Sequence, residues 1–254
     1  MGLKGYKTGA VKIIETQKIN IKRPVIVEGF PGIGMIGTAS MMYLVRELKM
    51  DLCGYIVSDR FPPLVTIHDG IPLPPVRIYK SEKYNLIVIL SEFAIPLRAV
   101  NEVCSDIIEW AAEKNARVLY TLGGIDMKVP EEDIDRVFAT ATTPETKKII
   151  EREGITVIKE GITTGVTGVL LSLGYVKNFP VISLLTPSRP LTVDLLSAAA
   201  VLKTFTKLEN IPVSVEKLIE EGMKIEVMLK EIFKNAKTVG EKYKKLEEYT
   251  QTYR

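Results

Sequence analysis

Short, unbroken apolar runs alternate along this chain with longer segments whose apolar residues recur every three or four positions. Val25-Ile26-Val27 opens the series, and after a turn at Glu28-Gly29-Phe30-Pro31 the residues Ala39, Met41, Met42, Leu44, Val45 and Leu48 mark a helix over about 34–49. Residues 52–57 predict a second strand. Residues 86–90 are continuously apolar, as a parallel strand covered on both faces must be. Pro96 then precedes a helix over 98–114, with Val100, Val103, Cys104, Ile107, Ile108 and Ala111 on one face and Trp110 extending it. Residues 118–122 predict the next buried strand, stopped by Gly123-Gly124. Thr140–Thr143 leads to Pro144, which with Glu145 starts a helix that ends near residues 153–154. A short strand over 155–158, a last strand over 179–185 and an alanine-rich helix over 194–208 complete the alternation. Strand followed by helix, repeated, predicts an α/β fold: a mainly parallel sheet with helices on both faces.

Two regions depart from that rhythm. Pro62, Pro63, Pro72, Pro74 and Pro75 withhold ladder donors, so residues 61–75 belong to an edge, hairpin or loop. Residues 65–67 and 76–79 flank Asp69-Gly70 and suggest a hairpin that covers the sheet edge or meets another subunit. Beyond Pro212, with Ser214 as a candidate N-cap, small or apolar residues at Leu218, Gly222, Ile225, Leu229, Ile232, Ala236, Val239, Tyr243 and Leu246 step by four and three, the rhythm of a helix packed along one seam. After 237 the sequence is mostly charged. The chain therefore divides into an α/β core over 1–211, a helix over 212–237 packed on that core or on another subunit, and a charged, flexible tail over 238–254.

Composition narrows the classes of function. Of 254 residues, 46% are hydrophobic and 26% charged, a globular balance, and a net charge of +3 carries no nucleic-acid footprint. No run of about 18 apolar residues predicts a membrane span. Residues 1–10 lack the apolar centre of a signal peptide, so a cytoplasmic protein is expected. Cys53 and Cys104 lie in apolar sequence and are expected to be buried free thiols. His68 is the only histidine and reads as a turn residue, so neither a metal site nor a histidine-based triad is supported.

Candidate chemistry centres on Gly32, Gly34 and Gly37, which spell G-x-G-x-x-G between strand and helix, with Asp59 about where a ribose-binding carboxylate would stand. Pro31 removes one N–H that a phosphate would use, and no Lys-Ser or Lys-Thr follows Gly37. The glycines are accordingly read as backbone geometry, with no cofactor. Glu28, Asp59, Glu92 and Asp126 all fall near the carboxyl ends of predicted strands, where they could hold a metal or do acid–base work; capping and turn roles are the expectation. The segment 161–168, GITTGVTG, could cradle an anion at a helix start or pack closely against the sheet.

Gly29-Phe30-Pro31-Gly32-Ile33-Gly34, Phe61-Pro62-Pro63, Ser91-Glu92-Phe93 and Leu122-Gly123-Gly124, in this order and spacing, resemble the archaeal branch of the proteasome assembly chaperone family over roughly residues 15–235. The resemblance implies an α/β domain, no catalytic residues, no metal, self-association into a homo-oligomer, and proteasome α-subunits or another assembly chaperone as partners. It also implies a structural role for the turn of Gly29, Phe30, Pro31, Gly32 and Gly34. The ending Thr252-Tyr253-Arg254 resembles the hydrophobic–Tyr–any-residue tail with which proteasome partners dock, with Thr252 standing where that motif has an apolar residue. Two further readings remain: a nucleotide-dependent enzyme of ATP-grasp-ligase or nucleoside-phosphorylase type using the glycine turns, and an oligomer whose tails pack on its own body.

Overall fold

The continuous apolar runs become the centre of a mixed sheet. The computed structural model describes residues 11–127, 136–188 and 193–220, and beyond them positions 226, 227, 229–231, 234 and 238. Its strands are β1 (Lys12–Glu15), β2 (Val25–Gly29), β3 (Asp51–Val57), β4 (Thr66–His68), β5 (Ile71–Leu73), β6 (Val76–Ser81), β7 (Leu86–Ser91), β8 (Val118–Ile125), β9 (Phe138–Ala141), β10 (Thr156–Val157) and β11 (Val181–Pro187). The α-helices are α1 (Ile36–Glu47), α2 (Leu97–Glu113), α3 (Pro144–Arg152), α4 (Gly165–Val176), α5 (Leu195–Leu208) and α6 (Glu216–Glu220). Among the described residues the main sheet runs β1-β3-β6-β7-β2-β8-β11-β9-β10, and β4 and β5 pair separately. Its centre, β7-β2-β8-β11, is parallel, and the β1-β3-β6 flank is antiparallel.

Alternation along β2 shows how one strand serves two cores. Val27 joins Ile36, Met41 and Leu44 of α1 and Ala198, Leu202 and Phe205 of α5. Its neighbour Ile26 points the other way and joins Val103 and Ile107 of α2 and Leu170 of α4. Both faces are thus covered by helices, which is why β2 and β7 carry no exposed residue. Tyr120 closes the α5 side: its ring stands edge-on to Phe205 and its hydroxyl donates to Glu209 at 2.6 Å. Past α5, Leu218 and Leu229 are buried in the same cluster, while Ile219 and Val227 face outward.

Several expectations change. The helix after the glycine turn begins as a 3-10 turn, Ile33–Met35, and becomes α-helical only at Ile36. Strand β8 does not stop at Gly123-Gly124 but runs to Ile125, because both glycines pair in register with Leu185 and Thr186 of β11. The hairpin forms, but its second arm is Ile71–Leu73; Val76–Ser81 instead joins the main sheet between β3 and β7, separated from the hairpin by Pro74-Pro75. Asp69 and Gly70 both have positive φ (49° and 78°), the geometry of a tight two-residue hairpin turn. Strands β1 and β9 had no counterpart in the periodicity, being only four residues each. Thr143 caps α3 by accepting from the Thr146 amide, with Pro144 behind it. Ser214 Oγ donates to the Glu216 carboxylate and its carbonyl accepts from the Tyr43 hydroxyl. Of the seam residues beyond α6, Gly222, Ile225, Ile232, Ala236, Val239, Tyr243 and Leu246 lie outside the described residues.

Candidate functional site

The turn after β2 is shaped by close approach to β8. A Cβ on Gly37 would come within 2.3 Å of the Leu122 carbonyl oxygen, so only glycine lets α1 lie this near the strand. Gly34 sits at φ +66°, and its carbonyl accepts from the Asp194 amide at 2.9 Å, tying the turn to the start of α5. Asp194 in turn caps α5 through the Ser197 amide and receives the Ser188 hydroxyl. Phe30 is buried against the α2 side. Gly32 differs: its backbone is extended, and a Cβ there would meet nothing within 4 Å.

That open space belongs to a cleft of ≈ 340 Å³ at the carboxyl ends of β2, β8 and β11, within the size range of small-molecule sites. Its floor holds Glu28, which is only 2% exposed. Glu28 Oε1 accepts from the Phe30 amide at 2.7 Å, and the Thr121 side chain hydrogen-bonds the same carboxyl. Burial pushes the Glu28 carboxyl up to about 7, against the lowering influence of Thr121 and the Phe30 amide. The first turn of α4 forms the opposite wall, and the side chain of its N-cap, Thr164, makes no capping bond.

A second polar cluster lies at the same end of the sheet, on the α1 side. Arg77 of β6 is 2% exposed; it pairs with Glu92 Oε1 at 2.5 Å and donates to Thr66 Oγ1 at 3.0 Å. His68 Nε2 stands 3.0 Å from Glu92 Oε2. The Glu92 carboxyl would be raised by burial, but the Arg77 charge together with bonds to Arg77, His68 and Thr66 holds it below its ordinary value. His68 is therefore more than a turn residue: it fastens the β4–β5 hairpin to the end of β7.

The four carboxylates thus do not converge. Glu28 and Asp126 share the cleft, Glu92 belongs to the hairpin anchor, and Asp59 lines neither. No group of three or more metal-ligating side chains occurs among the described residues. Cys53 and Cys104 are buried and free, and burial raises both thiols, Cys53 to about 12. Arg77 was missed in the sequence, although a lone arginine inside the apolar run Val76–Ile78 signals a buried partner. Thr252, Tyr253 and Arg254 lie outside the described residues.

Large apolar side chains are exposed at this end. Ile67 and Ile71 on the hairpin are 71% and 60% exposed, and Leu97 at the start of α2 and Ile162 before α4 are 87% and 89% exposed. None of the described helices is long and apolar enough to cross a membrane.

Comparison with known proteins gives concordant findings. A family model, that of the PAC2 family, matches residues 26–233. An uncharacterised protein of Methanocaldococcus jannaschii is 31% identical over 225 residues, covering 88% of this chain and 91% of that one. Among solved structures, Pyrococcus furiosus PbaA, described as an archaeal homologue of proteasome-assembly chaperone, superposes with a TM-score of 0.80 at 27% identity, covering 92% of this chain and 99% of its own. Pyrococcus furiosus PbaB, described as an archaeal proteasome activator, superposes with a TM-score of 0.72 at 25% identity, covering 88% and 98%.

Proposed function

The chain belongs to the PAC2 family, and from that premise we propose that it is a non-catalytic proteasome assembly chaperone or adaptor that self-associates and docks on proteasome α-subunits. The observation that carries the reading is the likeness to the assembly-chaperone homologue PbaA over nearly the whole of both chains.

Two surfaces serve the function. The hairpin, presenting Val65, Ile67 and Ile71 to solvent, supplies apolar area for contact between copies into a homo-oligomer. The tail supplies the docking element: the Arg254 carboxylate pairs with a cationic group on the α-subunit and the Tyr253 ring fills an adjacent slot, its hydroxyl hydrogen-bonded. Several tails on one oligomer act together, because linked binding events raise one another's effective concentration, and this offsets the polar Thr252. Capture of α-subunits by the intact protein, and its loss on deleting Tyr253 and Arg254, tests the assignment.

A further inference from the structure

The β4–β5 hairpin shares no ladder with the main sheet, and among the described residues neither apolar cluster includes a residue of 65–73. A lone two-stranded hairpin is marginal in water, so its side-chain ties to the body decide how it stands. Those ties come from alternate residues of β4. Thr66 Oγ1 receives Arg77 Nη1 at 3.0 Å, and His68 Nε2 stands 3.0 Å from Glu92 Oε2, with Arg77 and Glu92 both buried. Residues two apart on a strand share a face. Ile67, between them, is turned the other way and is exposed.

The two ties are not equivalent. Thr66 sits at the base of the arm, two residues past Leu64, which packs on the α2 side. His68 lies about 7 Å farther along the strand, beside the Asp69-Gly70 turn. Held at Thr66 alone, the arm pivots about its base; the tie at His68 fixes its angle. That tie also has a direction. Burial would raise the Glu92 carboxyl, but the Arg77 charge holds it below its ordinary value, so near neutral pH it can only accept. His68 Nε2 therefore carries the proton. A closed assembly needs the arm at one angle to the body, because every copy meets its neighbour in the same way.

We propose that His68 is the positioning residue for self-association: its Nε2–H, donated to the Glu92 carboxylate, sets the angle at which Ile67 and Ile71 meet a second copy. This rests on the reading that the hairpin joins copies, and adds the residue that makes the hairpin competent to do so. Only chains with the tie formed associate, so the apparent affinity falls in proportion to the tied fraction. The tie is a bond of one geometry. A glutamine amide nitrogen takes the place of Nε2 and can donate to Glu92, whereas the shorter asparagine amide stands where Nδ1 does and cannot reach it.

The test is sedimentation of the full chain and of His68→Ala, His68→Asn and His68→Gln over a range of concentrations near neutral pH. A nitrogen–proton NMR spectrum of the imidazole accompanies it, and His68, the only histidine, gives a single set of signals. His68→Ala and His68→Asn are expected to weaken association by about tenfold or more, the effect of one lost hydrogen bond to a charged group. His68→Gln is expected to restore most of that loss, and the natural imidazole to carry its proton on Nε2. Should His68→Ala not fold, the comparison of the glutamine and asparagine variants decides. Undiminished association in His68→Ala, no advantage of His68→Gln over His68→Asn, or an Nε2 without a proton overturns the proposal. A monomeric natural chain overturns the self-association reading and the positioning role with it, whereas a natural oligomer indifferent to His68 overturns the positioning role alone.

Discussion

His68 Nε2 lies 3.0 Å from Glu92 Oε2, and through that contact the exposed β4–β5 hairpin is fastened to the end of a fully buried strand. On its other side Glu92 meets Arg77, so the hairpin rests on a buried ion pair rather than on apolar packing. Removing one partner of such a pair strands the other charge, at a cost of about 3–5 kcal/mol.

Arg77→Met is expected to lose stability of that order in urea unfolding at neutral pH. The pH dependence has a definite sign. Glu92 is held below its unfolded value of 4.5, so its contribution is full above that value and is lost as pH falls through the lower folded value. The gap between the natural chain and Arg77→Met should therefore narrow from about pH 6 to about pH 3, as protonation removes the buried charge. A gap that widens toward acid contradicts the ion-pair account.

Glu28 has the opposite sign. Its folded value, about 7, exceeds the unfolded 4.5, so the folded state holds the proton between them and stability falls as pH rises through that window. The span corresponds to about 3 kcal/mol. Glu28→Gln removes the titration, and its melting temperature relative to the natural chain should rise between about pH 5 and about pH 7 and level off above that. Parallel melting curves across that range contradict the assignment.

The glycine turn separates two neighbours. Gly37→Ala places a Cβ 2.3 Å from a backbone oxygen and should destabilise by about 1–3 kcal/mol, the cost of overpacking. Gly32→Ala meets open space on extended backbone and should change thermal stability by less than about 0.5 kcal/mol. Equal effects at the two positions contradict the reading of the cleft.

Much of this was legible in the sequence, for reasons particular residues make plain. Residues 86–90 are apolar without interruption because β7 is covered on both faces, and Cys104, Ile107 and Ile108 recur at helical spacing because α2 buries one face. Thr143-Pro144 announces α3 through local capping chemistry. What escaped depends on register between distant segments. Gly123 and Gly124 look like a stop until β11 is beside them. Val76–Ser81 reads as a hairpin arm until β3 and β7 flank it. Glu28 and Thr167 meet through Thr121 only once three separate elements have folded, so the cleft has no local signature.

The proposed self-association draws on the hairpin. Ile67 and Ile71 are 71% and 60% exposed on a two-stranded arm, and burying them between copies would remove that apolar surface from water. Sedimentation of the natural chain at micromolar concentration should give a closed oligomer, and the double substitution Ile67→Asp, Ile71→Asp should shift it toward monomer with little change in far-UV dichroism. A natural chain that sediments as a monomer contradicts the account.

The central claim is docking on proteasome α-subunits through the tail. Capture of purified α-subunits by the intact chain is to be compared with capture by the chain lacking Tyr253 and Arg254, with oligomer size monitored in both. The account predicts capture by the intact chain, its loss on truncation with oligomer size unchanged, most of the same loss with Tyr253→Ala, and tighter binding with Thr252→Leu. Undiminished capture by the truncated chain contradicts the tail assignment and moves the contact to the folded body; no capture by the intact chain contradicts the claim itself.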